Sequence, residues 1–425
     1  MAPLGTGRRG QPHRRAHRHV VTAGRSARRA RPLWDPQRER VDPSSARRSV
    51  PLGSGPSGAV RQQGDRPCAG GGATVGREIT ERDVDTPRGR LHVRETTGGS
   101  TPLVLVHGNC SSSAFFDRLL AALPDDVHGL AVDLRGFGDT EPLPIDATRG
   151  VRDFADDVLA LLDAEGFARP AFVAHSAGAG VVMQLAIDHP DRVGPLVLEA
   201  PMSPYGFGGT RDVDGTPCWP DFAGSGGGTA NPDFAAGIAA GDRGTENPAA
   251  PRNVLRAFYV APDYAHDDEE ALLDSLLTTR IGDDHYPGPA TPSDHWPNTA
   301  PADSGMNNAI SPRFFDVSAF ADIDPKPPVT WVRGSVDLIV SDTSMLDIGH
   351  LGAIGAVPGW PGEDVYPAQP MVGQMRAVLD RYAANGGRYD EVVLEGIGHS
   401  PHLEAPDRFL ELVREALIDH AALDA

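Results

Sequence analysis

The sequence predicts a doubly wound α/β fold built on one mostly parallel sheet and interrupted by a large insertion. Three observations carry that expectation. Short apolar runs recur along the chain, helix-spaced apolar stripes alternate with them, and three residues suited to nucleophilic chemistry each follow directly on one of those runs.

The apolar runs are Leu103–Val106, Leu130–Val132, Ala171–Ala174, Leu196–Leu198, Val329–Val332 and Val392–Leu394, the pattern of strands buried on both faces of a parallel sheet. Between them, Phe154, Val158, Leu161 and Leu162 line one helical face, with Asp156 and Asp157 expected on the other. Phe409, Leu412, Val413 and Ala416 make a comparable stripe near the C-terminus. From about Pro201 to Ala321 the pattern gives way to Gly, Pro, Asp and aromatic residues. A stretch of about 120 residues does not stay structureless in a compact domain, so helices are predicted near Ala249–Tyr259 and Glu269–Leu277. Its aromatics (Tyr205, Phe207, Trp219, Phe222, Phe258, Tyr259, Tyr286 and Trp296) either line an apolar pocket for an acyl chain or ring or build the insertion's own small core. Acidic residues at Asp267–Glu270 open a helix and suit its dipole, and Asp283-Asp284-His285 lacks a second histidine at ligand spacing, so no metal is expected. A second Gly- and Pro-rich insertion, Gly352–Pro370, is expected at the rim of the pocket.

Ser176 ends the run Phe172-Val173-Ala174-His175 and is followed at once by Ala177-Gly178-Ala179-Gly180 and a helix. Such a strand–turn–helix transition holds a serine in a strained conformation and needs nearly side-chain-free residues two before and two after it. Here these are Ala174 and Gly178, the methyl of Ala174 being a departure from the usual glycine. A serine hydroxyl is a poor nucleophile near neutral pH unless an imidazole takes its proton and a carboxylate fixes the imidazole tautomer. Asp337, after Val329-Thr330-Trp331-Val332-Arg333-Gly334, is the candidate acid, with Asp342 its rival. His399, after Val392-Val393-Leu394 and the Gly396-Ile397-Gly398 turn, is the candidate base, with His402 its rival.

The order Ser, Asp, His on successive strand ends resembles the α/β-hydrolase family, over about residues 80–201 and 321–425. The resemblance implies a serine hydrolase acting through an acyl-serine intermediate, without cofactor, on a small carboxylic ester or lactone. It also implies an oxyanion hole: Leu103–Val106 running into His107-Gly108-Asn109 is similar to the family's strand ending in His-Gly, which assigns the backbone N–H groups of Asn109 and Ala177 as donors. Asp133 and Arg135, in Val132-Asp133-Leu134-Arg135-Gly136, match a family motif that braces loops. The glycines there do not form a dinucleotide fingerprint, so no nicotinamide or flavin is expected. The insertion lies where the family places a cap, over residues 202–320. A serine at this position argues against the dehalogenase and epoxide-hydrolase chemistry that uses aspartate on the same scaffold. Proline-iminopeptidase-like amide cleavage, perhydrolysis, carbon–carbon bond hydrolysis and a small-molecule receptor all remain compatible with the same three residues.

Residues 1–66 hold fifteen Arg against four Asp plus Glu, a net of +11, so the remainder carries −30 of the total of −19. This Arg-rich tail, taken as residues 1–79, is expected to be disordered. It reads either as an arm for acidic partners or, as favoured here, as an upstream start placed too early in a GC-rich gene, the working chain beginning near Val75. Cys68, Cys110 and Cys218 make no disulfide framework. The acidic body and the lack of an export signal favour a cytoplasmic protein whose folded part takes a small-molecule substrate and binds neither nucleic acid nor membrane.

Overall fold

Continuous apolar runs give strands whose side chains alternate between two covered faces, and each face takes its own set of helices. The computed structural model describes residues 76–265 and 267–423. The strands, in chain order, are β1 (Ile79–Thr86), β2 (Gly89–Thr96), β3 (Thr101–Val106), β4 (Val127–Val132), β5 (Ala171–His175), β6 (Leu196–Glu199), β7 (Ile281–Gly282), β8 (Tyr286–Pro287), β9 (Ala290–Pro292), β10 (Thr299–Pro301), β11 (Val329–Gly334) and β12 (Tyr389–Leu394). Eight of them form one sheet in the order β1-β2-β4-β3-β5-β6-β11-β12. The sheet is parallel from β4 through β12 and antiparallel at β1–β2 and β2–β4.

Val104, Val106, Phe172, Ala174, Leu196, Leu198 and Trp331 face one core, shared with helices Arg152–Glu165, Ala177–Asp188 and Met371–Ala384. Their strand neighbours Leu103, Leu105, Ala171, Val173, Val197 and Val332 face the opposite core, closed by helices Asp117–Ala122 and Pro406–Leu423. Burying each large side chain contributes about 1.5–3 kcal/mol, which makes this two-sided packing the main source of the sheet's stability. None of the helices is long and apolar enough to cross a membrane among the described residues.

Two features depart from the sequence expectations. The β1–β2 hairpin was not anticipated, because its residues are largely polar and half-exposed and give no strong apolar period. Asp157 lies in the core rather than on the outer face of its helix. Its carboxylate takes a two-point contact from Arg135, Nε to Oδ2 at 2.6 Å and Nη2 to Oδ1 at 2.7 Å, and a third from Arg88 Nε at 2.7 Å. Paired this way the charge is tolerated inside; removing one partner of such a pair typically costs about 3–5 kcal/mol.

The chain leaves the sheet after β6 and returns at β11. Within this excursion helix Glu269–Leu277 forms as expected, whereas the segment near Ala249–Tyr259 is a short α-helix, Pro251–Val254, that widens into a π-helical turn over Leu255–Tyr259. Pro251 at the first helical position suits that start. Glu269 pairs with Arg252 and Arg256, and Glu270 with Arg243, so these acids are engaged in ion pairs. Within the excursion Trp219 stacks on His295 and Tyr286 meets Phe234, while Trp296 meets Tyr366 of the second insertion edge-on. The segment Gly352–Pro370 packs onto it: Tyr366 donates to Ala223 O at 3.2 Å, and Gln369 accepts from Gly208 N at 2.6 Å and donates to Gly206 O at 3.0 Å.

The expectations for the Arg-rich tail, its early start and Cys68 lie outside the described residues. The described body already begins before residue 80: Arg77 donates to the carbonyls of Pro124, Val127 and Thr97, each at 2.7 Å. A chain starting at Val75 should therefore match the full-length protein in stability to within about 1 kcal/mol, since so polar a segment has little apolar surface to bury. One starting at Glu78, and so lacking Arg77, should lose a further 1–2 kcal/mol or about that. Urea midpoints of the three chains check this, and a large loss on cutting at Val75 would show that the tail packs on the body.

Candidate active site

β5 ends at His175 and helix Ala177–Asp188 begins at Ala177, leaving Ser176 alone to turn the chain at φ 54°, ψ −118°. A non-glycine residue there is strained by about 1–3 kcal/mol and persists only where the surroundings over-determine it. They do: Ser176 N–H donates to Glu199 O at 2.8 Å, and Ser176 O accepts from Met202 N at 3.2 Å and Ala179 N at 3.1 Å. Space around the turn is minimal. A Cβ on Gly178 would fall about 2.5 Å from Val106 O and close against His107 O, and one on Gly108 would meet Ser176 Cβ at 2.8 Å. The methyl of Ala174, the departure noted from sequence, is accommodated fully buried in the core on one face of the sheet. Gly178→Val should lower stability by about 3 kcal/mol, read from a urea midpoint, because neither backbone can withdraw from the sheet. A variant as stable as the parent would show that the close approach is dispensable.

Asp337 and His399 come together across β11 and β12. Asp337 Oδ2 lies 2.8 Å from His399 Nδ1, and both side chains are shielded from solvent. The other carboxylate oxygen of Asp337 accepts from Ile339 N at 2.7 Å and Val340 N at 3.0 Å, so its own turn fixes its aim. With Nδ1 committed to the carboxylate, Nε2 of His399 is the nitrogen left to exchange a proton. The histidine turn is held from several sides. Glu404 accepts from Gly398 N at 3.0 Å, Ser400 N at 3.3 Å and, from the excursion, Ala261 N at 2.7 Å. Burial raises the Glu404 carboxyl above its ordinary range despite those three donors. His175, the residue before Ser176, sets its ring 4.8 Å from that of His399 at a tilt of 52° and bonds His399 O through Nε2 at 2.9 Å.

The rivals named from sequence have other partners. Asp342 Oδ1 accepts from Val372 N at 2.8 Å and Gly373 N at 3.2 Å, anchoring the first turn of helix Met371–Ala384. His402 is fully buried against Glu199, Nδ1 to Oε1 at 2.8 Å, with Nε2 3.0 Å from Phe115 O. Burial alone would push the Glu199 carboxyl up, but the charge and hydrogen bonds of His402 hold it below the usual range.

The loop after β3 carries the expected oxyanion donor, Asn109. His107 locks this loop: its Nε2 accepts from Leu134 N at 3.0 Å and its Nδ1 faces Gly108 O at 2.7 Å. Burial lowers its basicity, consistent with a neutral structural ring. Ala177 is the first residue of its helix, where N–H groups have no intrahelical acceptor and the helix dipole is positive, so this end of the fold favours a developing negative charge. Asp133 accepts from Ser113 N at 2.7 Å and Asp139 N at 2.9 Å, and Arg135 holds Asp157; both brace loops.

Sequence reasoning did not find the contacts that the excursion makes with this loop. Tyr259, at the end of the π-helical turn, donates its hydroxyl to Asn109 O at 2.9 Å and sets its ring 6.4 Å from that of His399. Asn109 Nδ2 donates to Asn307 Oδ1 at 3.1 Å. A π-turn inside a short helix is a sequence-silent feature that recurs at functional sites.

A sequence model of the alpha/beta hydrolase family matches residues 103–412, and the chain belongs to that family. Among curated relatives, 2-(acetamidomethylene)succinate hydrolase of Mesorhizobium japonicum is 37% identical over 117 residues, 27% of this chain and 41% of that protein. 2-Hydroxymuconate semialdehyde hydrolase of Pseudomonas sp. is 32% identical over 127 residues, 29% of this chain and 42% of that protein. The chain thus spans well under half the length of either relative. A solved serine hydrolase from the polyaromatic-hydrocarbon-degrading bacterium Cycloclasticus zankles superposes with a TM-score of 0.52 at 17% identity, covering 82% of this chain and 100% of that one, a likeness of fold.

Proposed function

We propose that the protein is a serine hydrolase that cleaves a small carboxylic ester or lactone through an acyl-serine intermediate. The observation that carries this reading is the buried 2.8 Å pairing of Asp337 with His399, whose main-chain oxygen is bonded by His175, the residue before a serine held at positive φ on a strand–helix turn. Ser176 attacks the carbonyl carbon as His399 Nε2 takes its proton, and Asp337 stabilises the imidazolium and holds its tautomer. The backbone N–H groups of Asn109 and Ala177 bind the oxyanion as the tetrahedral intermediate forms. His399 then protonates the leaving alkoxide, and water, deprotonated by the same imidazole, releases the acid from Ser176.

In this reading residues 202–320 act as a cap. Tyr259 and Asn307 reach from it to Asn109, so closing the cap and setting the oxyanion donor are one event. Membership of the family and two relatives named as hydrolases support hydrolysis as the reaction type. Activity-based labelling with a fluorophosphonate, followed by a panel of acyl esters, lactones, aminoacyl amides and 2-hydroxymuconate semialdehyde, tests it. Labelling at Ser176 with multiple turnovers of esters or lactones is expected. Binding without turnover would make the protein a receptor, and preference for the amides or the semialdehyde would move the bond cleaved.

A further inference from the structure

Beneath the histidine turn lies a second carboxylate–imidazole contact that the proposed reaction does not use. Both ring nitrogens of His402 face acceptors: Nδ1 meets Glu199 Oε1 at 2.8 Å and Oε2 at 3.0 Å, and Nε2 meets Phe115 O at 3.0 Å. Glu199, held below the usual range and so ionised, can only accept; a neutral imidazole has one donor, and the protonated ring is then the form that satisfies both contacts. Neither side chain is exposed. Glu199 also touches both halves of the site, its main-chain oxygen accepting from Ser176 N at 2.8 Å and its carboxylate accepting from His402 N at 2.7 Å.

We propose that Glu199 and His402 form a buried carboxylate–imidazolium pair that positions His399 and cancels the charge Glu199 would otherwise place near it, acting through His175 and the turn 398–400. The proposal rests on the reading of Ser176, His399 and Asp337 given above. An ion pair this deep is a poor way to gain stability, since an apolar replacement is often as good or better. What it supplies here is a fixed link between the serine turn and the histidine turn, made by two residues 203 positions apart in the chain. His175 lies between the pair and His399, its ring 5.6 Å from that of His402 and 4.8 Å from that of His399. Burial pushes His175 down to about 3, so it stays neutral, gives its Nε2 proton to His399 O, and leaves Nδ1 without a partner.

The groups facing His399 and the pair are few. Asp337 bonds His399 directly, Glu404 binds the backbone of its turn, and the Tyr259 ring stands edge-on to it. His175 is the remaining titratable neighbour, and Phe116 and Phe409 pack on the His402 ring. With Glu199 balanced by His402, the charge near His399 is set by Asp337 and Glu404.

The test follows the rate of fluorophosphonate labelling against pH in the full-length protein. His402→Gln takes away the group that holds the buried Glu199 carboxyl down; above its raised titration Glu199 is an uncompensated negative charge that favours protonated His399, so the acid limb of the profile should move to higher pH. At an effective dielectric of about 20, an unbalanced charge about 10 Å away moves such a limb by about one pH unit. Loss of the fixed geometry should slow labelling about tenfold on the plateau. Adding Glu199→Gln removes the unbalanced charge and should return the limb to its original position while the plateau stays low. A loosened structure alone would slow labelling without moving the limb. A folded His402→Gln variant whose limb stays in place overturns the proposal. Nitrogen-15 NMR of the histidine rings in the unmodified protein gives a second measure that needs no variant to fold: both His402 nitrogens should carry protons in the folded protein, and a neutral tautomer overturns the proposal equally. Failure of the unmodified protein to label, or labelling that survives Ser176→Ala, would instead count against the serine-hydrolase reading.

Discussion

Ser176→Ala should abolish fluorophosphonate labelling and lower turnover roughly 10⁴-fold or more, leaving only what the oxyanion donors and binding contribute. The fold should survive. The hydroxyl is not among the groups that hold the turn, which rests on backbone bonds from Ser176 to Glu199, Met202 and Ala179. Alanine also bears the same positive-φ strain as serine, so the urea midpoint should shift by less than about 1 kcal/mol in stability terms. Undiminished labelling of the variant would remove Ser176 from the mechanism, and loss of activity with loss of fold would make the residue structural.

Exchanging carboxylate for amide separates the two aspartates. In Asp337→Asn the amide oxygen can still accept from Ile339 N and Val340 N, which turns the NH₂ group toward His399 Nδ1. A donor there forces the proton onto Nε2, the nitrogen that must be free to act as base, and removes the charge that stabilises the imidazolium. A loss of roughly 10⁴-fold in kcat is expected with the fold intact. Asp342→Asn keeps an acceptor for Val372 N and Gly373 N and gives up only a helix-end charge, about 0.3–1 kcal/mol of stability, with turnover within about threefold. The reverse order of effects would make Asp342 the partner of His399.

The residues legible in the sequence are those whose role follows from their immediate neighbours. Ser176 was readable because an apolar strand, a small-residue turn and a helix follow one another within a dozen positions, and Asp337 and His399 because each ends a strand at a glycine turn. The structure places these turns at the carboxyl ends of the parallel strands β5, β11 and β12, and the sheet itself follows from the six apolar runs, although Val392–Leu394, on the edge strand β12, is only half-buried rather than covered on both faces. His402 was separable from His399 for the same local reason.

What the tertiary structure alone decided are the partners of polar groups. Asp157 is expected with Asp156 on the outer face of its helix, and it is Arg135 and Arg88, arriving from other segments, that pair with it in the core. Glu199 is the last residue of an apolar strand, with nothing nearby to announce that it balances His402. Tyr259 is one of thirteen aromatics in the insertion, singled out by a π-turn and by its bond to Asn109, 150 residues away. Apolar side chains reveal their burial through periodicity because any apolar neighbour will serve. A buried charge or hydroxyl needs one particular partner at one distance, and that partner is supplied by chain folding from far away in sequence.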